Sequence, residues 1–391
     1  MHDPPRRERG GCEQVPGAVP EAEAVEAGGW LRPMKLAVGY PVLEEEERPF
    51  AEVIAGFREQ VAEVYFAWPG EASGRSPFGG GEPGAEARLE EDLRELRAMG
   101  VGLDLLVNAN CYGAEAASAR LAERVVGIVE HLAGGVGLEV VTTTSPFIAR
   151  AIKERFPGVR TRASVNMRIG SVEGMSYVAE AFDSFCVQRD YNRDLGRLEE
   201  LRGWCEENGK ELCGLVNSGC LRNCSGQTFH DNLVAHEREM GECGAAGEEA
   251  LVCRGYLRDP GHWPALLKAT WIRPEDLHHY EGAFALAKVA TRMHARPERV
   301  VRAYARGRHA GNLLDLLEPG YGALLGGQAI ENGRFPEDWF ERTTSCEQRC
   351  GGCRYCEETL REVLGPAGAK SESGQAGGEG REDWRRSKGM V

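Results

Sequence analysis

Along the chain, short apolar runs alternate with stretches whose apolar residues recur at helical spacing. The runs "KLAVGYPV" (35–42), "EVYFAWP" (63–69), "LDLLVNANC" (103–111), "LEVVTTTSP" (138–146) and "RASVNMR" (162–168) read as strand-like. So do "SFCVQRD" (184–190), "ELCGLVN" (211–217), "ATWIRPEDL" (269–277) and "FALAKVATRM" (284–293). Helix patterns lie between them. In "EARLEEDLRELRAMG", Leu89, Leu93 and Leu96 share one face. Ser171 and Glu173 suit the start of "SVEGMSYVAEAF". About eight strands separated mostly by helices is the pattern of βαβ units, hence an α/β fold with a parallel sheet. A closed (β/α)8 TIM-like barrel fits this count and a folded part of roughly 285 residues, since about 250 is typical. The rival, an open doubly wound sheet, usually has a Gly-rich first turn, and "AVGYPVLEEE" contains no G-x-G-x-x-G.

The alternation also divides the chain. Residues 1–32 and 366–391 have few large apolar residues and are expected to be disordered tails. Residues 33–318 form the expected barrel, and 319–365 a Cys-rich C-terminal appendage. "EASGRSPFGGGEPGA" (71–85) reads as a Gly/Pro loop inside the folded part.

Many of the apolar runs end in polar residues. Asn108 and Asn110 with Cys111, Asn166 and Arg168, Arg189 and Asp190, Asn217 and Cys220, Arg273 and Glu275, and Lys288 with Arg292 all stand there. Single polar residues at strand ends are usually turn or cap residues. Their recurrence points to the C-terminal mouth of a barrel, where substrates bind. Arg189, Asp190 and Glu275 are the candidate catalytic groups. Asn108, Asn166, Arg168, Asn192, Asn217, Arg273 and Lys288 are candidates to bind a polar, anionic substrate through charge-assisted hydrogen bonds.

Composition narrows the chemistry. The 391 residues are 42% hydrophobic and 28% charged, an ordinary globular balance. No apolar run reaches the about 18 residues of a membrane span, and the N-terminus lacks the apolar core of a secretion signal. A reducing cytoplasm is therefore expected, where thirteen cysteines point to metal or redox chemistry more than to disulfides. A net charge of −14 argues against sequence-blind binding of phosphate backbones. The arginines of "RFPGVRTRASVNMR" (155–168) are expected on a solvated face, pairing with acids.

Two cysteine groups stand out. "NSGCLRNCSGQTFHDN" (217–232) places Cys220 and Cys224 just past a strand end in a segment too polar to be core, and Cys253 follows in "LVCRG". Thiolates four residues apart can face one metal, with Cys111 or Cys213 as candidates for the fourth ligand. The second group, "CEQRCGGCRYC", holds Cys346, Cys350, Cys353 and Cys356 in eleven residues. This uninterrupted run is closer to iron–sulfur ligation than to the split pairs of a zinc ribbon, with zinc the alternative. Its first spacings are also those of radical S-adenosylmethionine enzymes. Here, however, they follow the expected barrel, and a fourth cysteine would fill the iron those enzymes leave open. Cys12, Cys205, Cys243 and Cys186 have no partner spacing and are assigned to tail, helix, loop and core.

"RASVNMRIGSVEGMSYVAEAFDSFCVQRDYNRDLGRLEELR", then "NSGCLRNC", then "WIRPEDLHHYEGAFALAKVATR", together resemble the collagenase-like peptidase U-thirty-two family. The likeness covers roughly residues 33–310. It implies a barrel and a four-cysteine iron–sulfur cluster, 4Fe–4S in type; the C-terminal cysteine run is not part of the family's core pattern and would make a second cluster in this chain. It also implies an oxygen-independent hydroxylation of an RNA base or small polar metabolite, beside the older label of proteolysis. An accessory subunit of the same family is a candidate partner. The loop departs from the family's Ser-x-Ser-Gly-x-Cys pattern, reading "VNSGCLRNCSG". As a protease the chain has no His-Glu-x-x-His and no Gly-x-Ser-x-Gly, leaving a Cys224–His230 pair as the one candidate. A non-catalytic metal-binding subunit is the third reading.

Overall fold

The computed structural model describes residues 34–41, 49–74, 84–236 and 251–367. The N-terminal tail, nearly all of the C-terminal tail, the centre of the 71–85 loop, Cys12 and Cys243 lie outside the described residues.

Eight of the apolar runs become strands: β1 (Leu36–Gly39), β2 (Val61–Ala67), β3 (Gly102–Val107), β4 (Val140–Thr143), β5 (Arg160–Ala163), β6 (Ser184–Cys186), β7 (Glu211–Leu215) and β8 (Leu286–Val289). Each pairs in parallel with the next, and β8 pairs with β1 through Ala37↔Lys288, closing a barrel. The intervening chain forms α1 (Phe50–Ala55), α2 (Ala85–Ala98), α3 (Ala119–Gly135), α4 (Pro146–Arg155), α5 (Val172–Ser176) and α6 (Leu195–Glu207). Beyond β7 come α7 (Gln227–Ala235), α8 (Val252–Leu257) and α9 (Pro264–Lys268), and beyond β8 comes α10 (Pro297–Ala305). Local chemistry agrees with these boundaries. The side chains of Ser118, Ser145, Ser171 and Asp194 each accept a backbone N–H at a helix start, a cap typically contributing about 1 kcal/mol. On α2 the face of Leu89, Leu93 and Leu96 is the buried one.

"ATWIRPEDL" is not a strand, which corrects the sequence expectation. Its Ile272 N–H donates to the carbonyl of Val216, but a 3-10 helix begins at Pro274 and runs to Tyr280. Proline removes a ladder donor there, and the pairing of β8 with β1 leaves no barrel edge for another strand. The run instead packs outside the barrel, with Trp271 and Ile272 buried.

The C-terminal segment has its own small antiparallel pair, β9 (Gln328–Ile330) with β10 (Leu364–Pro366), and two helices, α11 (Trp339–Thr344) and α12 (Tyr355–Val363). Trp339 is buried and stacks on Trp271 at 5.8 Å, while Leu360 and Val363 join the main hydrophobic core. Residues 319–367 thus add no barrel strand but share the barrel's core. Among the described residues, no helix is long and apolar enough to cross a membrane.

Candidate functional site at the barrel mouth

The barrel's interior is charged. Inward-facing Glu63, Asp104, Thr142, Arg162, Ser184 and Lys288 come from six different strands and are all buried. Arg162 donates to both carboxylate oxygens of Glu63, at 2.5 and 2.9 Å, and to Asp104 at 3.2 Å. Its Nε reaches Ser184 Oγ at 3.2 Å. Thr142 Oγ1 donates to Asp104 Oδ2 at 2.7 Å, and Lys288 lies 3.5 Å from the same oxygen, its ammonium 3.9 Å from the Tyr65 ring centroid. Burial pushes the Glu63 carboxyl up, but the Arg162 charge and hydrogen bonds overcome it and hold the group below the ordinary range. Burial holds the Asp104 carboxyl above its ordinary value, although Lys288 opposes the rise. Cys186 and Cys213, paired in register across β6 and β7, complete this layer as electrostatic neighbours. Cys213 is therefore an interior residue whose electrostatic neighbours are Cys186, Arg162 and Glu63. As a candidate fourth ligand of the Cys220 group it is corrected by this position.

Above this layer, strand ends and loops meet. Asn108 accepts from Gly74 N–H at 2.8 Å and donates to Ser164 Oγ at 3.2 Å, and Asn166 lies half-buried on the turn after β5. Leaving β7, the chain passes Gly219, where a Cβ would lie 2.1 Å from the carbonyl oxygen of Pro319. A side chain has no room there, so glycine sets the path into the cysteine loop. That loop is gripped by strand-end side chains. Asp190 Oδ1 accepts the Asn223 N–H at 2.8 Å. On α7, Asp231 accepts from Arg168 at 2.8 Å, from Asn110 at 3.2 Å and from Gln227 at 3.3 Å. Arg168 also reaches Thr228 at 3.1 Å. Helix α7 consequently spans the ends of β3 and β5. Asn110 Oδ1, buried beside this clamp, has no hydrogen-bond partner among the described residues.

Within the gripped loop, Cys220 and Cys224 are half-buried, and Cys253, also half-buried, lies on α8. Burial pushes the Cys224 thiol up; the Gly226 N–H bond and the Arg189 charge oppose this, while the neighbouring Cys253 and Cys220 thiols add to it. Arg189 therefore stands near this thiol. Cys111 lies on the loop after β3, its sulfur accepting the Gly113 N–H at 3.4 Å. Among the described residues, no three His, Cys, Asp or Glu side chains stand at metal-ligand spacing.

Other predicted site residues are committed elsewhere. Asn217 is fully buried, donating to the carbonyls of Ala290 and Leu316 and accepting from Ala290 N–H, so it ties β7 to β8. Asn192, also fully buried, donates to the carbonyls of Leu215 and Thr270. Arg273 forms a two-bond pair with Asp276, and Glu275 accepts from His309 N–H and Asn332, both outside the barrel. The expectation that Arg273 and Glu275 sit at a strand end falls with the missing strand. Lys288 belongs to the interior layer. The 155–168 arginines do pair with acids, Arg160 with Glu211 and Arg168 with Asp231, but Arg162 is buried and not on a solvated face. Sequence reasoning passed over Glu63, Asp104 and Asp231. Glu63 and Asp104 carried one signal, a lone acid inside an apolar run.

No family model matches the chain. An uncharacterized protease, MJ1657, of Methanocaldococcus jannaschii is 23% identical over 283 residues, covering 71% of this chain and 81% of that protein. Among solved structures, the U32 peptidase Mk0906 is 14% identical, covers 70% of this chain and 98% of its own, and superposes with a TM-score of 0.48. The chain resembles the U-thirty-two peptidases. A family 5 mannosidase of Rhizomucor miehei is 8% identical, with 69% and 87% of the two chains covered and a TM-score of 0.35. The barrel itself is established by its own strand register.

Proposed function

We propose that this U-thirty-two-like barrel is an enzyme whose mouth holds an iron–sulfur cluster on Cys220, Cys224 and Cys253, with Cys111 as candidate fourth ligand. Its substrate would be a small polar metabolite or an RNA base, modified without molecular oxygen. The observation that carries this reading is that Cys224 has Cys220, Cys253 and Arg189 as electrostatic neighbours, on a loop held by Asp190 and followed by a helix held by Arg168 and Asn110. The donor set suits a soft thiophilic centre, and loop-borne thiolates commonly reach ligand spacing only with their metal. When bound, such a cluster supplies one-electron chemistry and an electrophilic iron. The chain's own contribution would be positional. The Arg189 guanidinium would attract an anionic substrate to the thiol loop. Asn110 Oδ1, without a partner among the described residues, would accept a hydrogen bond from substrate, and the Asp231 clamp would keep α7 over the mouth and limit water. A cytoplasmic location and an accessory subunit of the same family fit this reading.

Proteolysis is the second reading, favoured by the name of the archaeal relative. One experiment separates the two. Under the cluster reading, Cys224→Ala lowers iron content and substrate turnover together, and His230→Ala leaves iron unchanged. Peptide cleavage that survives full removal of metal but is lost in His230→Ala would establish Cys–His proteolysis instead. A chain that binds iron yet turns over neither substrate class would fit a non-catalytic subunit.

A further inference from the structure

The cysteines of 346–356 form a second group along the sequence, and two arginines single them out. Helix α11 precedes the run and α12 begins inside it, with Cys356 in its first turn, and Trp339, Leu360 and Val363 anchor both helices in the main core. The run is therefore held between fixed ends on the barrel flank. Arg193 is 7% exposed, its guanidinium 4.6 Å from the Trp271 ring centroid and 5.1 Å from that of Trp339. Its hydrogen bonds go to the carbonyls of Leu267 and Trp271, at 2.9 and 3.0 Å. It forms no salt bridge with a carboxylate among the described residues. Asp276 lies in its surroundings but is already taken by both arms of Arg273. A buried cation is costly unless an anion compensates it, and Cys356 is among its electrostatic neighbours.

The second arginine comes from the mouth. Arg222, between Cys220 and Cys224 in sequence, donates toward Cys350 Sγ at 3.8 Å. Cys350 and Cys346 lie within electrostatic range of Cys356. The Gln348 N–H donates to Cys346 Sγ at 3.3 Å, on a turn where Gln348 takes φ 60°. Donors aimed at sulfur and uncompensated positive charge are what an anionic metal–thiolate centre requires.

We propose that Cys346, Cys350, Cys353 and Cys356 hold a second iron–sulfur cluster, compensated in charge by Arg193 and Arg222 and coupled to the mouth loop through Arg222. Cys353, exposed just before α12, closes the set when the cluster orders the turn. The coupling rests on the mouth reading above; the second site does not.

The test uses the full chain purified without oxygen, with iron, sulfide and zinc counted per chain and the reduced protein examined by electron paramagnetic resonance. Cys350→Ser/Cys353→Ser should lose about half the iron and sulfide and keep the mouth signal. Arg222→Gln should keep both clusters, while the reduction potential of the second falls, because a positive donor favours the more negative, reduced state. Full iron and sulfide in the double variant, or zinc as the metal it loses, would overturn the second cluster. An unchanged potential in Arg222→Gln would overturn the coupling. Cys220→Ala/Cys224→Ala keeps the two readings apart, since it should retain only the second cluster's share. If it retains all the iron while Cys350→Ser/Cys353→Ser loses all of it, the mouth reading has failed and the second site stands.

Discussion

Inside the barrel, Arg162 closes on Glu63 and Asp104, and Lys288 closes on Asp104 and the Tyr65 ring. At the mouth, Arg168 and Asp190 close instead on the loop that carries Cys220 and Cys224. Both regions use charged side chains from strands or strand ends, yet the interior set largely satisfies itself, with Asp104 Oδ1 the one oxygen of its two acids left without a partner among the described residues. Glu63 and Asp104 offset Arg162 and Lys288 in formal charge, and their ion pairs cross the interior between strands that are not neighbours, β2 with β5, β3 with β5 and β3 with β8. Such a network holds the strands in register and leaves little capacity for a ligand. The mouth set uses its charges to hold a segment whose own reactive groups, the thiols, form no ion pair with those charges among the described residues. Function is better sought where polar residues grip something than where they satisfy one another.

The largest expected effect tests the interior. Arg162→Met would leave Glu63 buried without its main cation and Asp104 with Lys288 alone, and removing one partner of a buried pair typically costs about 3–5 kcal/mol. Denaturant unfolding should show a loss of that order. A loss below about 1 kcal/mol would mean that the interior charges are hydrated or otherwise compensated.

Next comes acid response. Glu63 has its folded-state value depressed below 4.5, so its contribution to stability is present above that pH and is lost as pH falls through the folded value. Glu63→Gln should remove this acid-labile part, and the variant's stability should fall less than the parent's between about pH 5 and pH 3. Parallel curves for the two proteins would show that Glu63 does not titrate in that window.

The smallest effect on stability, but the most selective, is expected at the mouth. Asp231→Asn removes the charge that pairs with Arg168, a partly exposed bond contributing roughly 1 kcal/mol. Global stability should change little, whereas protection of α7 amides in hydrogen exchange should drop and metal retention should weaken. Unchanged exchange in α7 would break the distinction between the two regions.

The comparison also explains what could be read from sequence. The barrel was legible because apolar runs and amphipathic helices alternate, and because Leu89, Leu93, Leu96 and the Ser171 cap behave as local rules require. "ATWIRPEDL" misled because composition does not reveal that the sheet is already closed. The cysteine loop was legible as a polar segment after a strand. Its grip was not, because Asp231 pairs with Arg168 across 63 residues. Asn217 and Asn192 looked like mouth residues from their position at strand ends, but each directs its amide to backbone groups. Direction of a side chain is decided by tertiary packing, which no run of residue types records.

The central claim is the mouth cluster, and metal analysis of the anaerobically purified chain tests it most directly. The account predicts brown protein containing iron and acid-labile sulfide, with iron falling when Cys220 and Cys224 are both changed to Ala. Colourless protein that binds zinc without sulfide, or a Cys220→Ala/Cys224→Ala variant with undiminished iron, would contradict it.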